Sequence, residues 1–384
     1  MIFFGRKDAR NKTYNHANRK DHVSKPGKLK LESAGMRKIV LVFLLTWGLF
    51  LHGERLGVLN EVLKPEGMEI IDGKLYIVEG ATFLVYSLPD LKYIARFCRQ
   101  GEGPGETVKI PIVPNNVKGG RNFLMVEGMN KLIFFSPNFK IIKEVKKREL
   151  LSRITPLGMN YVGIRMSLAN ERLSFTLQLI DPDFKILKEL YKQEIPYKQN
   201  TTNLLIDTIH YMIYKDKIYV EESQRGFVIE IFDYKGNRVS QIKENFEAKK
   251  ITDVEKKELF DRFKDDPYVI STSKKIGGIE QLEKVGGFIF PDYFPTIQDI
   301  VVVDDKIYVS TYERNAENKE KYYVTDLSGK TIKTVYLPVV MKSPVLARMT
   351  GRENRFYAIW GEKFYYLVEN EENDSCDLHF LLIK

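Results

Sequence analysis

Along most of the chain, short apolar runs alternate with polar breaks of two or three residues, a spacing that suits strands better than helices. One unit recurs: an apolar strand, a tight polar turn, then a strand of the type Ile-Tyr-Val. It reads Met68–Glu79 (MEIIDGKLYIVE), Tyr211–Glu221 (YMIYKDKIYVE) and Ile300–Ser310 (IVVVDDKIYVS), with weaker copies at Asn122–Glu127, Asn160–Ser167 and Arg355–Trp360. The turns Asp72-Gly73-Lys74, Lys215-Asp216-Lys217 and Asp304-Asp305-Lys306 have the composition of two- to three-residue hairpin connections. A second strand pair follows each copy, as in Phe83–Phe97, Leu132–Val145, Leu177–Leu190, Val228–Ile242 and Tyr322–Leu337. The last repeat offers Phe364–Val368 and Asp377–Ile383. Each of these turns carries Asp, Ser or Asn near Gly or Pro, residues that let a backbone reverse.

Six units emerge, beginning near Glu66, Pro111, Ile154, Leu204, Thr296 and Pro344. Four short antiparallel strands per unit, repeated at this period, predict an all-β fold: a six-bladed β-propeller of four-stranded antiparallel blades. A lone blade buries too little apolar surface to stand by itself, so blades must stack and cover one another. A β-sandwich is the structural alternative, but it does not predict a six-fold repeat. The spacing breaks once, at residues 245–295, between blades 4 and 5. There Thr252-Asp253-Val254-Glu255 has the form of a capping box, and Val254, Leu259, Phe260 and Phe263 follow at helical spacing up to Asp266-Pro267. A partly helical insertion is expected there, with Gly277-Gly278 and Gly286-Gly287 making its remainder a flexible segment.

Charge changes the picture only at the N-terminus. The formal net charge is +9, which by itself would raise nucleic acid as a partner. Residues 1–38, however, carry eleven Lys/Arg against three acids, leaving the rest of the chain close to neutral. A nucleic-acid partner is therefore not expected. Met36-Arg37-Lys38 precedes an apolar run, Ile39–Leu51 (IVLVFLLTWGLFL), too short for an ordinary bilayer span of about 20 residues but the right length for the apolar stretch of a signal peptide. The expected organisation is a hydrophilic extension at 1–35 ahead of a true start at Met36, a signal-like segment at 36–53, and a propeller at 54–384. The protein is then exported, to a periplasmic or extracellular location. If the signal is not cleaved, residues 39–51 anchor it, the one membrane contact expected. A nucleic-acid or membrane-surface arm at the N-terminus is the weaker reading. Cys98 and Cys376 are too few for a disulfide scaffold. Export and ring closure would permit a bond between them, and two buried thiols are the alternative.

After the first blade stands Arg99-Gln100-Gly101-Glu102-Gly103-Pro104-Gly105-Glu106. It resembles the G-x-G-P-G-E signature of an exported six-bladed β-propeller family whose blades are similar to NHL and TolB-like repeats. Phe294–Asp299, ahead of Asp304-Asp305-Lys306-Ile307-Tyr308-Val309, is similar to a second pattern of that family. The resemblance covers residues 56–384, with Thr107 in place of the Phe that commonly follows the motif. It implies architecture and export, without a substrate. Physically, Gly101, Gly103 and Gly105 around Pro104, closed by Glu106, read as an inter-blade turn with left-handed backbone angles. No Lys-Ser/Thr follows, as a phosphate loop requires.

Catalytic signatures are missing. Of the five histidines only His210 and His379 fall in the propeller body, on different blades, and no Gly-x-Ser-x-Gly elbow occurs. The expected function is a binding or scaffold propeller with no cofactor, engaging a protein, peptide or glycan through the channel mouth. Tyr161, Arg165, Tyr211 and Arg348 are the candidate ligand contacts. The alternative is a metal-dependent, lactonase-like hydrolase or lyase, a class that holds Ca2+ or another divalent ion in the central channel. Glu69, Asp207 and Asp299, each near an innermost strand, would be its ligands.

Overall fold

Each predicted turn becomes a hairpin in the computed structural model, which describes residues 53–108, 115–147, 151–196, 202–203, 205, 208–221, 225–264, 270, 278, 281, 288–340, 355–370 and 375–384. Six four-stranded antiparallel sheets form a propeller ring. Blade 1 runs through Gly67–Ile71, Lys74–Glu79, Thr82–Ser87 and Tyr93–Phe97. Blade 2 is Asn116–Gly119, Leu124–Glu127, Lys131–Phe135 and Ile141–Lys146. Blade 3, with the longest strands, is Leu151–Leu157, Asn160–Ala169, Arg172–Ile180 and Ile186–Pro196. Blade 4 is His210–Tyr214, Lys217–Glu221, Phe227–Phe232 and Arg238–Glu244, and blade 5 is Asp299–Val303, Lys306–Arg314, Glu320–Asp326 and Thr331–Leu337. In each, the strands A to D follow chain order from the axis outward.

Blade 6 is built from both ends of this unit. Its A, B and C strands are Tyr357–Trp360, Lys363–Asn370 and Ser375–Leu382, and its outermost strand is Glu54–Leu59. The register pairs Glu54 with Phe380 and Leu59 with Cys376, and the Arg55 guanidinium bonds Asp377 at 2.9 Å. The first strand thereby closes the ring against the last three.

Local chemistry explains why the hairpins recur. In blades 1, 4, 5 and 6 the A–B turns place two consecutive residues at positive φ, as at Lys215-Asp216 (47° and 58°) and Asp304-Asp305 (51° and 56°), the geometry that matches strand twist. The C–D turns begin with a side chain that caps its own loop. Asp233 Oδ1 accepts from the N–H groups of Lys235 and Asn237, and Asp326 Oδ1 does so from Ser328 and Lys330.

Side chains alternate across each strand, so every blade presents an apolar face to both neighbours. The interior consequently divides into six inter-blade clusters, one per interface. The largest joins blades 6 and 1 around Leu75, Ile77, Tyr365 and Leu378. The thinnest joins blades 2 and 3 around Met125, Phe134, Ile154 and Tyr161. Cys98 borders the blade 1–2 cluster and Cys376 lies in the blade 6–1 cluster, and they form no disulfide.

The insertion contains helix α1 (Asp253–Lys264). Thr252 caps it: the Thr252 hydroxyl accepts from the Glu255 N–H, while the Glu255 carboxylate takes the Thr252 N–H at 2.9 Å. Leu259 is buried with Leu205, Ile251 and Phe294, whereas Val254 faces solvent at 68% exposure. Asp266-Pro267, Gly277 and Gly286-Gly287 lie outside the described residues.

Strand direction sorts the connections. A and C strands run one way, B and D the other, so A–B and C–D turns share one face of the ring. B–C turns and D–A connections share the opposite face. Helix α1 belongs to a D–A connection, so it lies on the same face as the long B–C hairpins of blades 3 and 5.

Candidate functional site

The six A strands surround a cavity of about 180 Å³, lined by Glu69, Lys118, Arg153, Tyr211, Asp299 and Arg355 among others. Each charged group reaches from its own blade to the next. Lys118 of blade 2 sits 3.4 Å from Glu69 of blade 1. Arg153 occupies a bulge, marked by the register shift between Ser152 and Thr155 and a φ of 55°. That bulge aims the side chain across to blade 4, where it donates to the Ile209 carbonyl at 2.7 Å. Tyr211 returns the contact, with its hydroxyl among Arg153 O, Thr155 Oγ1 and Val162 O.

Arg355 and Asp299 make the strongest of these links. The guanidinium binds the carboxylate through two nitrogens, at 2.7 and 2.9 Å, and donates to the Ile300 carbonyl at 2.9 Å. Asp299 also accepts the Tyr357 hydroxyl at 2.7 Å and the Ile300 N–H at 2.8 Å. Both carboxylate oxygens are therefore fully engaged. Burial opposes the Arg355 charge, and the Asp299 carboxylate more than offsets it, so the guanidinium stays protonated. Burial and the same carboxylate push the Tyr357 phenol well above its usual range. Sequence reasoning named Arg348 and passed over Arg355, whose position just ahead of the Tyr357–Trp360 strand was the available signal.

The predicted contacts separate on the structure. Tyr211 lines the cavity, but its hydroxyl is spent on blade 3. Tyr161 is not at a mouth: it is buried between blades 2 and 3, stacked on Phe184 at 4.8 Å and edge-on to Phe134 at 6.1 Å. An aromatic ring at an inter-blade strand position gains more from neighbouring rings than from solvent. Arg165 is exposed on the B strand of blade 3. Arg348 lies outside the described residues, as does Asp207. Glu69 and Asp299 do share the cavity, yet each faces a protein cation, and Arg153 adds a third positive charge nearby. That arrangement repels a divalent ion where the metal reading needs one. Among the described residues no cluster of three or more His, Cys, Asp or Glu forms.

The glycine motif is a closed turn. Arg99–Gln100 pairs in parallel with Glu106–Thr107, and the Glu106 carboxylate accepts the Gly103 N–H at 2.9 Å and Arg99 Nε at 2.7 Å. The Gly103 N–H, then the Arg99 guanidinium, hold the Glu106 carboxyl below its ordinary range. Gly101 sits at a φ of 152°, and a Cβ there would lie 2.0 Å from the Glu106 carboxylate and displace it from its bonds to Gly103 and Arg99. Gly105 donates to Glu144 at 2.6 Å, and Lys131 reaches the Gly103 carbonyl at 2.8 Å, fastening the turn to blade 2.

A second recess, about 260 Å³, lies between α1 and the B–C hairpin of blade 5. Leu259, Phe294, Tyr312 and Val339 give it apolar walls, with Phe294 and Tyr312 stacked at 4.6 Å. Charge at its edge is fixed by local pairs. Arg314 binds Glu320 at 3.2 Å and Asn318 at 3.1 Å, and Gln298 donates to Glu320 at 3.0 Å. The Lys249 ammonium pairs with Glu255 above the Phe294 ring. No motif announced this recess, since it joins the insertion to the B–C hairpin of blade 5.

No protein-family model matches the chain, and no curated protein does. Solved structures similar to it include BamB from Moraxella catarrhalis, at 8% identity and a TM-score of 0.30, covering 82% of this chain and 71% of that one. Hsv2p from Kluyveromyces lactis is similar at 11% identity and a TM-score of 0.35, covering 83% and 98%. BBS1N, solved in complex with ARL6DN, is similar at 11% identity and a TM-score of 0.34, covering 83% and 77%.

Proposed function

We propose that this chain is a non-enzymatic binding protein that engages a polypeptide partner through the face carrying α1 and the long hairpins of blades 3 and 5. The observation that carries the reading is the recess between α1 and blade 5: apolar walls with a rim of charges that, Glu258 apart, are already paired suit side-chain burial from a partner. The blade 3 hairpin extends the same face, with Met166 39% and Leu168 58% exposed. The axis supports the reading from the other side, because its carboxylates, guanidiniums and phenols hold blades together instead of facing a substrate. Its place of work is outside the cytoplasm, which the Met36–Gly53 pattern supports.

The test is site-specific photo-crosslinking in the native host, with the probe at Glu258 or Asn318 beside the recess and, as control, at Lys217 on the opposite face. A discrete polypeptide adduct from the first two positions, absent at Lys217 and lost on Tyr312→Ala, is expected. Adducts of equal yield at all three positions would overturn the proposal. So would hydrolysis of lactones, esters or glycosides by purified protein supplied with divalent ions.

A further inference from the structure

The C–D hairpins of blades 1 to 5 share a surface feature that neither the axis nor the recess uses. After each turn, the D strand opens with a basic residue beside large apolar side chains left in solvent. The segments read KYI, KIIK, KILK, RV and KTIK, starting at Lys92, Lys140, Lys185, Arg238 and Lys330. Their apolar members are 41% to 54% exposed. A single exposed Ile is ordinary on a soluble protein. Five copies of one cation-plus-apolar unit, one per blade and all at the rim of the A–B/C–D face, are a surface pattern.

We propose that this rim docks the ring onto an anionic lipid surface. A ring presents its five hairpins in roughly one plane, which a membrane can meet at every blade simultaneously. The apolar side chains would enter the headgroup boundary while the flanking Lys and Arg stay level with the phosphates. Charge sign favours this partner. The turn aspartates Asp181, Asp233 and Asp326 are turned onto their own loop N–H groups. Of the basic side chains, Arg238 pairs with Glu230, and Lys188 and Lys333 bond Asn237 and the Ile383 carbonyl, which leaves Lys92, Lys140, Lys185 and Lys330 as the cations of the rim. In blade 2 the capping position is Ser136, with no acid in the turn.

Residues 53–384 hold all six blades and every inter-blade cluster, and form one compact unit, so this fragment isolates the rim from the apolar run. It is floated with phosphatidylcholine vesicles, with and without phosphatidylglycerol. Binding to the phosphatidylglycerol vesicles alone, weakened by salt, is expected. Lys140→Ser/Lys185→Ser should lower that affinity roughly thirtyfold, and Ile142→Glu should lower it comparably. Met129→Glu, at the exposed B–C turn of blade 2 on the opposite face, should leave it unchanged. All variants are first checked for a cooperative melt matching the parent. The proposal falls if the folded fragment ignores both vesicles, binds both equally, or loses binding as much with Met129→Glu as with Ile142→Glu. A soluble protein that captures the rim while vesicles do not would overturn it as well.

Discussion

Single side chains decide two measurable properties. Burial pushes the Cys98 thiol up to about 11, so at pH 8 only about one molecule in a thousand carries its thiolate. Cys376 is wholly buried in the blade 6–1 cluster. Neither should react with a thiol reagent at pH 8 in the folded protein, and two thiols should appear on unfolding without reductant. Fewer than two would mean a bond that the structure does not contain. The turn caps set an acid limit. Asp233 is held below its ordinary range chiefly by the Asn237 N–H, and Asp326 chiefly by the Ser328 hydroxyl. A depressed carboxyl contributes stability above the unfolded value, near 3.9, and loses it as pH falls through the folded one. Asp233→Asn/Asp326→Asn keeps an acceptor in each turn but cannot titrate. Its melting temperature should therefore fall less than the parent's between roughly pH 5 and 2.5, and an identical acid limb would contradict this role.

At the scale of strands and interfaces, legibility followed locality. Hairpins were readable because Asp-Gly, Lys-Asp and Asp-Asp pairs, and the Asp or Ser that opens each C–D turn, act within a few residues. The capping box predicted α1 for the same reason. The closing strand Glu54–Leu59 was not readable as part of blade 6, since its partners lie more than 300 residues away: Arg55 and Asp377 are separated by 322. Nor could sequence show that Tyr161 turns inward, or that a bulge aims Arg153 at the neighbouring blade 4. Interface quality was equally hidden. Between blades 2 and 3, Gln178 is 1% exposed, and neither of its amide atoms has a hydrogen-bond partner. It shares strand parity with Ile180 of that thin cluster, while Leu177 and Leu179 face blade 4. A buried polar group without partners costs more than an apolar one of similar shape. Gln178→Met should thus stabilise the protein by about 1 kcal/mol in denaturant unfolding, and a loss of similar size would show that the amide is satisfied in solution.

In the whole molecule, labour is divided between the axis and the two faces. Six apolar interfaces supply the cohesion, the first strand closes the circle, and polar residues along the axis tie blade 1 to 2, blade 3 to 4 and blade 5 to 6. Recognition is left to the surfaces: the recess beside α1 on one side, and the basic-apolar rim on the other. This division makes the axis a clamp, and a clamp differs from an active site in how stability responds to substitution. Replacing a catalytic group commonly leaves stability unchanged or raises it, whereas removing one member of a buried ion pair strands the other. The decisive measurement is the unfolding free energy of residues 53–384 carrying Asp299→Asn, beside the double variant Asp299→Leu/Arg355→Met. The single change should cost about 3–5 kcal/mol, and the double should recover most of it. A single variant as stable as the parent, or more stable, would contradict the clamp.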